Sequence, residues 1–561
     1  MTGGRAAAPA QADRIGGLSY AHGATSSPLL GETIGANLER TVARFGDRPA
    51  IVSRHQGVRL TYAQFDAEVD RVGRALMSVG LDVGDRVGIW SPNRVEWALV
   101  QYATAKAGIV LVNVNPAYRT HELAYAVRHS GCRMLIAAAA FKTSDYVAMV
   151  DEVRGKLPGL ERVVFFDSPS WEELLAGSRE TPVASLRERS SGLDFSDPIN
   201  VQYTSGTTGF PKGATLTHHN ILNNGFFTGE GCRLTERDSI CVPVPYYHCF
   251  GMVMGNLAAT SHGACVVLPA EGFEPGSVLE AVSAERCTVL YGVPTMFIAE
   301  LDHPEFERFD LSSLRTGIMA GSPCPVEVMK KVVDRMGMTE VTICYGMTET
   351  SPVSTQTLPD DDLEHRTATV GAVHPHIEIR VADPDTGRTL PRGEPGEFQT
   401  RGYGVMLGYW EDPEKTGEAI DAARWMHTGD LAVMDPDGYV RIVGRIKDMI
   451  IRGGENVYPR EIEEFLYTHP DIADVQVVGV PDLRYGEEIF AWVISRDGVA
   501  VDTAIVQEFC QGRIAHYKIP RYVEPITEFP MTVTGKVRKI ELREQAIERL
   551  GLQGAAGVET A

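Results

Sequence analysis

Residues 203–213 read Tyr-Thr-Ser-Gly-Thr-Thr-Gly-Phe-Pro-Lys-Gly, which puts three glycines, four Ser/Thr hydroxyls and one lysine into eleven positions. Gly206, Gly209 and Gly213 allow backbone N–H groups to approach a ligand closely. Thr204, Ser205, Thr207 and Thr208 add donors, and Lys212 adds a charge. The combination is a cradle for a polyphosphate. A Walker loop needs Gly before its Lys and Ser or Thr after it, whereas Pro211 and Gly213 flank Lys212, so this is a different phosphate loop. No acidic residue occurs from Pro198 to Gly229, although the chain holds 74 Asp and Glu. A surface that faces phosphate must exclude carboxylates.

Four later segments carry chemistry of their own. In Tyr345-Gly346-Met347-Thr348-Glu349-Thr350 an aromatic ring can stack on a base, a hydroxyl can bond a phosphate, and a carboxylate can hold Mg2+. Asp430, which closes Trp425-Met426-His427-Thr428-Gly429-Asp430, can accept from two ribose hydroxyls. Arg445, in Gly444-Arg445-Ile446-Lys447-Asp448, can bond the ribose from the other side. Lys536, in Pro530-Met531-Thr532-Val533-Thr534-Gly535-Lys536, offers an ammonium to neutralise charge that builds during displacement at phosphorus. Alone, Thr-Gly-Asp is a common turn and a lysine in a basic tail is a solvated surface group. In order behind the loop at 203–213 the segments form one set.

The set resembles the adenylate-forming enzymes, which include acyl-CoA synthetases, luciferases and peptide-synthetase adenylation domains, from about residue 35 to about 545. The resemblance assigns ATP binding to Thr204, Ser205, Gly206, Thr207, Thr208, Gly209, Lys212, Gly321, Ser322, Tyr345, Gly346, Thr348, Asp430 and Arg445. It assigns Mg2+ to Thr204 and Glu349, catalysis to Lys536, His248 and Glu349, and an interdomain hinge to Lys447. The family turns its C-terminal domain between two steps. Lys536 faces the site for adenylation; Arg452-Gly453-Gly454-Glu455-Asn456 faces it for thioester formation, where Gly453 and Gly454 would line a pantetheine tunnel for coenzyme A. Gly-Gly also suits a hairpin turn.

The acyl substrate is read from Pro245-Tyr246-Tyr247-His248-Cys249-Phe250-Gly251-Met252. Amino-acid-activating relatives place an Asp in this region, and none stands from Ser239 through Ala270, so an uncharged acyl group is favoured. His248 resembles the residue near the substrate carboxylate; a satisfied core histidine is the alternative. The run from Phe250 to Gly255 is either the wall of an alkyl pocket or an amphipathic core helix. The texture is most similar to medium-chain fatty acyl-CoA synthetases. The implied reaction is ATP-dependent ligation of a fatty acid to coenzyme A through an acyl-AMP, with release of pyrophosphate and AMP. Delivery to a carrier protein, an aryl acid as substrate, a reaction that stops at the adenylate, and a nucleotide-binding protein without catalysis are the alternatives. Expected partners are fatty acid, ATP and coenzyme A, with a homodimer and a lysine acetyltransferase acting on Lys536 as further expectations.

Elements must hold these residues. The pattern is α/β: Thr61 and Gln64 fit a capping box ahead of Phe65, Val69, Val72 and Leu76 at helical spacing. Short apolar strands follow near Arg86 to Trp90 and Ile109 to Val112, flanking a helix from Arg94 to Ala107, which predicts parallel βαβ units. The texture returns at Ile199 to Tyr203, Ala264 to Leu268 and Val341 to Cys344, so two α/β lobes are expected in one large domain, 31–444. Turn clusters and the strand Ile377 to Val381 predict a β-rich subdomain at about 370–444. A small mobile α+β domain is expected over 445–550, with helices from Pro459 to Thr468 and Thr503 to Ile514 and a strand from Val475 to Val480. A mobile arm at 1–30 and a tail at 551–561 complete the division. With 561 residues, 43% hydrophobic and 23% charged, the chain can bury a large core, and its net charge of −21 disfavours nucleic acid and anionic membrane as main partners. Nine scattered cysteines without a C-x-x-C pair read as reduced thiols of a cytoplasmic protein. No apolar run is long enough to cross a membrane.

Overall fold

The computed structural model describes residues 17–204, 211–322, 324–452, 455–482, 484–496, 498–532 and 536–553. These belong to two compact units. Of the described residues, the first takes in those within 21–379 and 400–427, the second those within 17–20, 380–399 and 428–553.

Two sheets build the first unit. One has seven strands in the order Gly408–Tyr409, Lys212–Thr217, Pro198–Thr204, Val110–Asn113, Arg86–Trp90, Met134–Ala137 and Arg162–Phe165. Its central pairs are parallel, and Pro198–Thr204 turns back antiparallel onto Lys212–Thr217 with Thr204 opposite Lys212. The other sheet has nine strands, with Cys265–Leu268, Ser239–Cys241, Val289–Gly292, Thr316–Ala320 and Glu340–Gly346 all parallel. Strands that are buried on both faces read as apolar runs, as Met134–Ala137 does throughout and Val110–Asn113 does up to its last residue.

The helix Tyr62–Ser78 starts as the sequence predicts. Thr61 accepts the Gln64 N–H, the Gln64 side chain returns to the Thr61 N–H, and Phe65, Val69, Val72 and Leu76 are buried. Helix Val95–Ala107 follows at the predicted place. Phe250–Leu257, which holds the run read either as the wall of an alkyl pocket or as an amphipathic core helix, is a π-helix buried along its whole length. Gly225 of helix His218–Gly231 lies against it so closely that a Cβ there would stand 2.9 Å from the Leu257 Cβ. Such widened turns recur at functional sites.

In the second unit Met426–Met434 pairs antiparallel with Val440–Arg445, and a sheet of Glu455–Val457, Ile450–Arg452, Gly486–Ser495, Ile472–Asp482 and Tyr522–Pro525 carries helices Pro459–Leu466, Thr503–Cys510 and Lys539–Arg549. The helix expected to reach Ile514 ends at Cys510, and a 3-10 turn follows at His516–Lys518. The expected N-terminal arm is also shorter at its inner end: Tyr20–His22 is a strand, Ser19 N–H donates to the Leu390 carbonyl at 2.7 Å, and Gly23 N–H to that of Ile377 at 2.8 Å. Pairing at a sheet edge uses backbone groups, so a Gly- and Ser-rich stretch can do it without periodicity.

All nine cysteines are buried thiols outside any disulfide. Among the described residues no helix is long and apolar enough to cross a membrane.

Candidate active site

The loop read from sequence as a polyphosphate cradle joins the hairpin strands Pro198–Thr204 and Lys212–Thr217. Ser205, Gly206, Thr207, Thr208 and Gly209 lie outside the described residues; its two ends are placed. Thr204 Oγ1 stands 3.4 Å from the Lys212 carbonyl and 3.4 Å from Glu349 Oε1. Glu349 lies in the 3-10 turn Thr348–Thr350, directly after strand Glu340–Gly346, and is 5% exposed. The Tyr409 hydroxyl donates to the same Glu349 Oε1 at 2.9 Å, and Met406 N–H donates to the Glu349 carbonyl at 2.9 Å. Thr204, Lys212 and Glu349, read separately from sequence, therefore meet at one place. Among the described residues no three His, Cys, Asp or Glu side chains gather as a metal cluster. One carboxylate beside a hydroxyl is a hard-oxygen set that fits Mg2+ held mainly through phosphate oxygens and water.

Strand ends supply the next residues. Thr316–Ala320 and Glu340–Gly346 are parallel neighbours with Ala320 opposite Cys344, so Gly321 and Ser322 leave one strand beside Tyr345 and Gly346 leaving the other. This is the carboxyl edge of a parallel sheet, where open α/β sheets bind ligands. Gly346 is required there, because a Cβ would fall 1.7 Å from the Pro352 carbonyl oxygen. Thr348 is 8% exposed.

His248 sits at the start of the π-helical segment. Its Nδ1 accepts the Phe250 N–H at 3.1 Å, which leaves Nε2 as the nitrogen that carries hydrogen in the neutral ring. The neighbouring Cys249 thiol donates to Gln202 Oε1 at 3.2 Å. Burial, with the Glu349 charge adding, pushes that thiol up to about 12 against the Gln202 and Thr348 hydrogen bonds, so Cys249 is an inert neutral thiol. Gln202 and Asn113 each donate to the Met252 thioether at 3.1 Å. A polar floor thus lies under the first turn of the π-helix.

The remaining residues belong to the second unit. Asp430 and Arg445 are register partners across antiparallel strands, joined Oδ1 to Nε at 2.8 Å, with side chains 11% and 56% exposed. The backbone ahead of Asp430 is fixed from beneath: Gly429 N–H donates to Glu397 Oε1 at 3.1 Å, Gln399 Nε2 to Glu397 Oε2 at 2.7 Å, and Arg380 Nε to Gln399 Oε1 at 2.8 Å. Gly429 has φ +69°, which suits glycine. Lys447 is exposed in the 3-10 turn Ile446–Asp448. Arg452 forms a two-pronged pair with Glu488, at 2.8 and 2.9 Å, and lies over the Tyr485 ring; Gly453 and Gly454 lie outside the described residues. Lys536 is exposed. Its N–H donates to Thr532 Oγ1 at 3.0 Å while its carbonyl accepts from Thr532 N–H at 2.7 Å.

Sequence reasoning missed Tyr409, Gln202, Glu397 and Gln399. Gln202 left a signal, a polar residue inside a buried strand. Tyr409 left none, because its two-residue strand has no periodicity to read.

The AMP-binding enzyme family matches residues 38–410, and the AMP-binding enzyme C-terminal domain matches residues 461–536. The chain is 48% identical over 546 residues to YngI of Bacillus subtilis (strain 168), covering 94% of this chain and 99% of that one. It is 45% identical over 554 residues to the medium-chain acyl-CoA ligase ACSF2, mitochondrial, of Danio rerio, covering 95% of this chain and 91% of the relative. Among solved structures it is similar to the anthranilate CoA ligase AuaEII in complex with anthranoyl-AMP, with TM-score 0.84, 27% identity, and coverage of 94% and 99%.

Proposed function

The chain belongs to the AMP-binding enzyme family, and from that premise we propose that it ligates a fatty acid, of medium chain length, to coenzyme A at the expense of ATP. In the first step a carboxylate oxygen of the acid attacks the α-phosphorus of ATP. The new O–P bond forms as the bridge to the β-phosphate breaks, giving acyl-AMP and pyrophosphate. In the second, the thiol sulfur of coenzyme A attacks the acyl carbonyl, the thiol proton is lost, and AMP leaves. Activation is needed because a bare carboxylate repels a thiolate and has no good leaving group. The adenylate splits one hard step into two easier ones.

The meeting of Glu349, Thr204 and Lys212 at the phosphate hairpin carries this reading. The hairpin cradles the phosphates, and Lys212 adds charge. Glu349 and Thr204 would hold Mg2+, which screens the phosphate oxygens when bound. Tyr345 stacks on adenine beside Gly321, Ser322 and Gly346. Thr348 bonds the α-phosphate. His248, with hydrogen on Nε2, donates to the acid's carboxylate oxygen. Asp430 accepts from the ribose hydroxyls, with Arg445 at its side. Lys536 supplies the mobile ammonium of the first step. In the second, rotation about Lys447 replaces it by the Arg452 to Asn456 segment, so that Gly453 and Gly454 border the pantetheine. Nine buried thiols, none of them in a disulfide, support a reducing, cytoplasmic setting.

The fatty-acyl and coenzyme A parts rest on the relative named a medium-chain acyl-CoA ligase. An aryl acid is the second reading, favoured by the similarity to an anthranilate CoA ligase. Pyrophosphate release over a panel of straight-chain and aryl acids, with and without coenzyme A, tests both. Turnover should peak with medium-chain acids and yield their thioesters. A peak with aryl acids would favour the second reading, and ATP use independent of any acid would end both.

A further inference from the structure

One side chain touches both the carboxylate and the ammonium of the phosphate site. The Tyr409 hydroxyl donates to Glu349 Oε1 at 2.9 Å, and the Lys212 ammonium lies 4.9 Å from the centre of the Tyr409 ring. Cation and ring face are attracted at this separation. Thr204 approaches the same oxygen, Oε1, while no described residue bonds Oε2. Among the described residues the short hydrogen bond to this carboxylate, from Tyr409, falls on Oε1, and Oε2 is the oxygen turned to a cation.

Tyr409 is itself firmly placed. Strand Gly408–Tyr409 pairs with Lys212–Thr217, with Tyr409 opposite Ala214 and Gly408 opposite Thr215. Tyr409 N–H donates to Thr416 Oγ1 at 2.9 Å. Gly408 has φ +154° and passes so near Thr416 that a Cβ would meet its side chain at 2.8 Å. The Met406 N–H holds the Glu349 main chain to the same segment.

We propose that Tyr409 is a positioning residue for the adenylation step: its hydroxyl sets the Glu349 carboxylate with Oε2 toward the cation, and its ring sets the Lys212 ammonium, fixing the distance between the metal-binding and phosphate-binding charges. The inference rests on the reading of Glu349 as the Mg2+ carboxylate and of Lys212 as a phosphate ligand.

Calorimetric titration of ATP into the full-length protein, with and without Mg2+, separates the two parts. Tyr409→Phe deletes the hydroxyl and keeps the ring. It should retain the metal-free affinity for ATP yet lose about tenfold of the affinity gained on adding Mg2+, as expected for one hydrogen bond to a charged group. The Mg2+ concentration for half-maximal adenylation should rise by a similar factor. Tyr409→Leu removes the ring as well and should also weaken metal-free ATP binding. Glu349→Gln is the reference: it should abolish the Mg2+-dependent gain. If Glu349→Gln loses the gain and Tyr409→Phe keeps all of it, the positioning role is overturned while the Glu349 reading stands. If Glu349→Gln keeps the gain, the metal reading fails and the Tyr409 proposal falls with it.

Discussion

Arg445 and Asp430 are paired across neighbouring antiparallel strands, Nε to Oδ1 at 2.8 Å, with the carboxylate nearly buried and the guanidinium half exposed. The pair fixes the direction of the carboxylate before any ligand arrives, so the proposed role of accepting from a ribose would need no reorganisation of it.

Asp430→Asn keeps the size of the side chain and removes its charge. Loss of one charge-assisted hydrogen bond corresponds to about 1.5–3 kcal/mol, so KM for ATP should rise roughly tenfold or more, with a smaller change in KM for the acid. Initial-rate kinetics with each substrate varied in turn checks this. Equal increases in both would place Asp430 outside the nucleotide site.

Lys536→Ala removes the ammonium proposed for the first step. Taking away one preorganised charge at a developing oxyanion costs about 2.7–4 kcal/mol, so acyl-AMP formation should fall by about two to three orders of magnitude. Thioester formation from pre-made acyl-AMP should stay near wild type. Acetylation of Lys536, which is exposed, should reproduce the split by cancelling the same charge. Equal loss of both half-reactions would contradict the rotating-domain account.

Stability should depend on pH from both sides. Burial holds His218 and His374 at about 3, whereas an unfolded chain protonates histidine near ~6.5. Between these values the unfolded state binds more protons, so stability is lost as pH falls through that window. Glu300 acts in the opposite sense. Neither of its carboxylate oxygens has a partner among the described residues, and burial raises it well above the usual range. The folded state keeps a proton that the unfolded chain releases above ~4.3, so this contribution is present in acid and lost as pH rises. In urea unfolding across the pH range, His374→Gln should flatten the acid limb by about one proton, ~1.4 kcal/mol per pH unit. Glu300→Gln should remove the loss that sets in as pH rises above ~4.3. An unchanged slope for either variant would contradict the assignment.

Much of the scaffold was legible because local rules agreed with the final packing. The Thr61–Gln64 capping box starts its helix as written, and Arg86–Trp90 is the strand that its apolar run predicts. The loop at 203–213 also falls where an alternating strand ends. What could not be read was set by contacts far apart in sequence. Tyr409 reaches Glu349 only because a two-residue strand adds to the edge at Ala214. Glu397 supports Gly429 from another strand, and no spacing announces it. The widening of Phe250–Leu257 into a π-helix depends on outside partners: Gln101 donates to the Met252 carbonyl at 3.2 Å, and Tyr102 to that of Asn256 at 3.0 Å.

The most direct test is a single-turnover experiment with the purified full-length protein in excess over ATP, octanoate present, and coenzyme A added only after the first phase. Mass spectrometry should find octanoyl-AMP formed in step with pyrophosphate, and then octanoyl-CoA and AMP appearing as the adenylate decays after coenzyme A is added. An adenylate that persists unchanged in the presence of coenzyme A, or a thioester that forms with no adenylate preceding it, would contradict the two-step ligation.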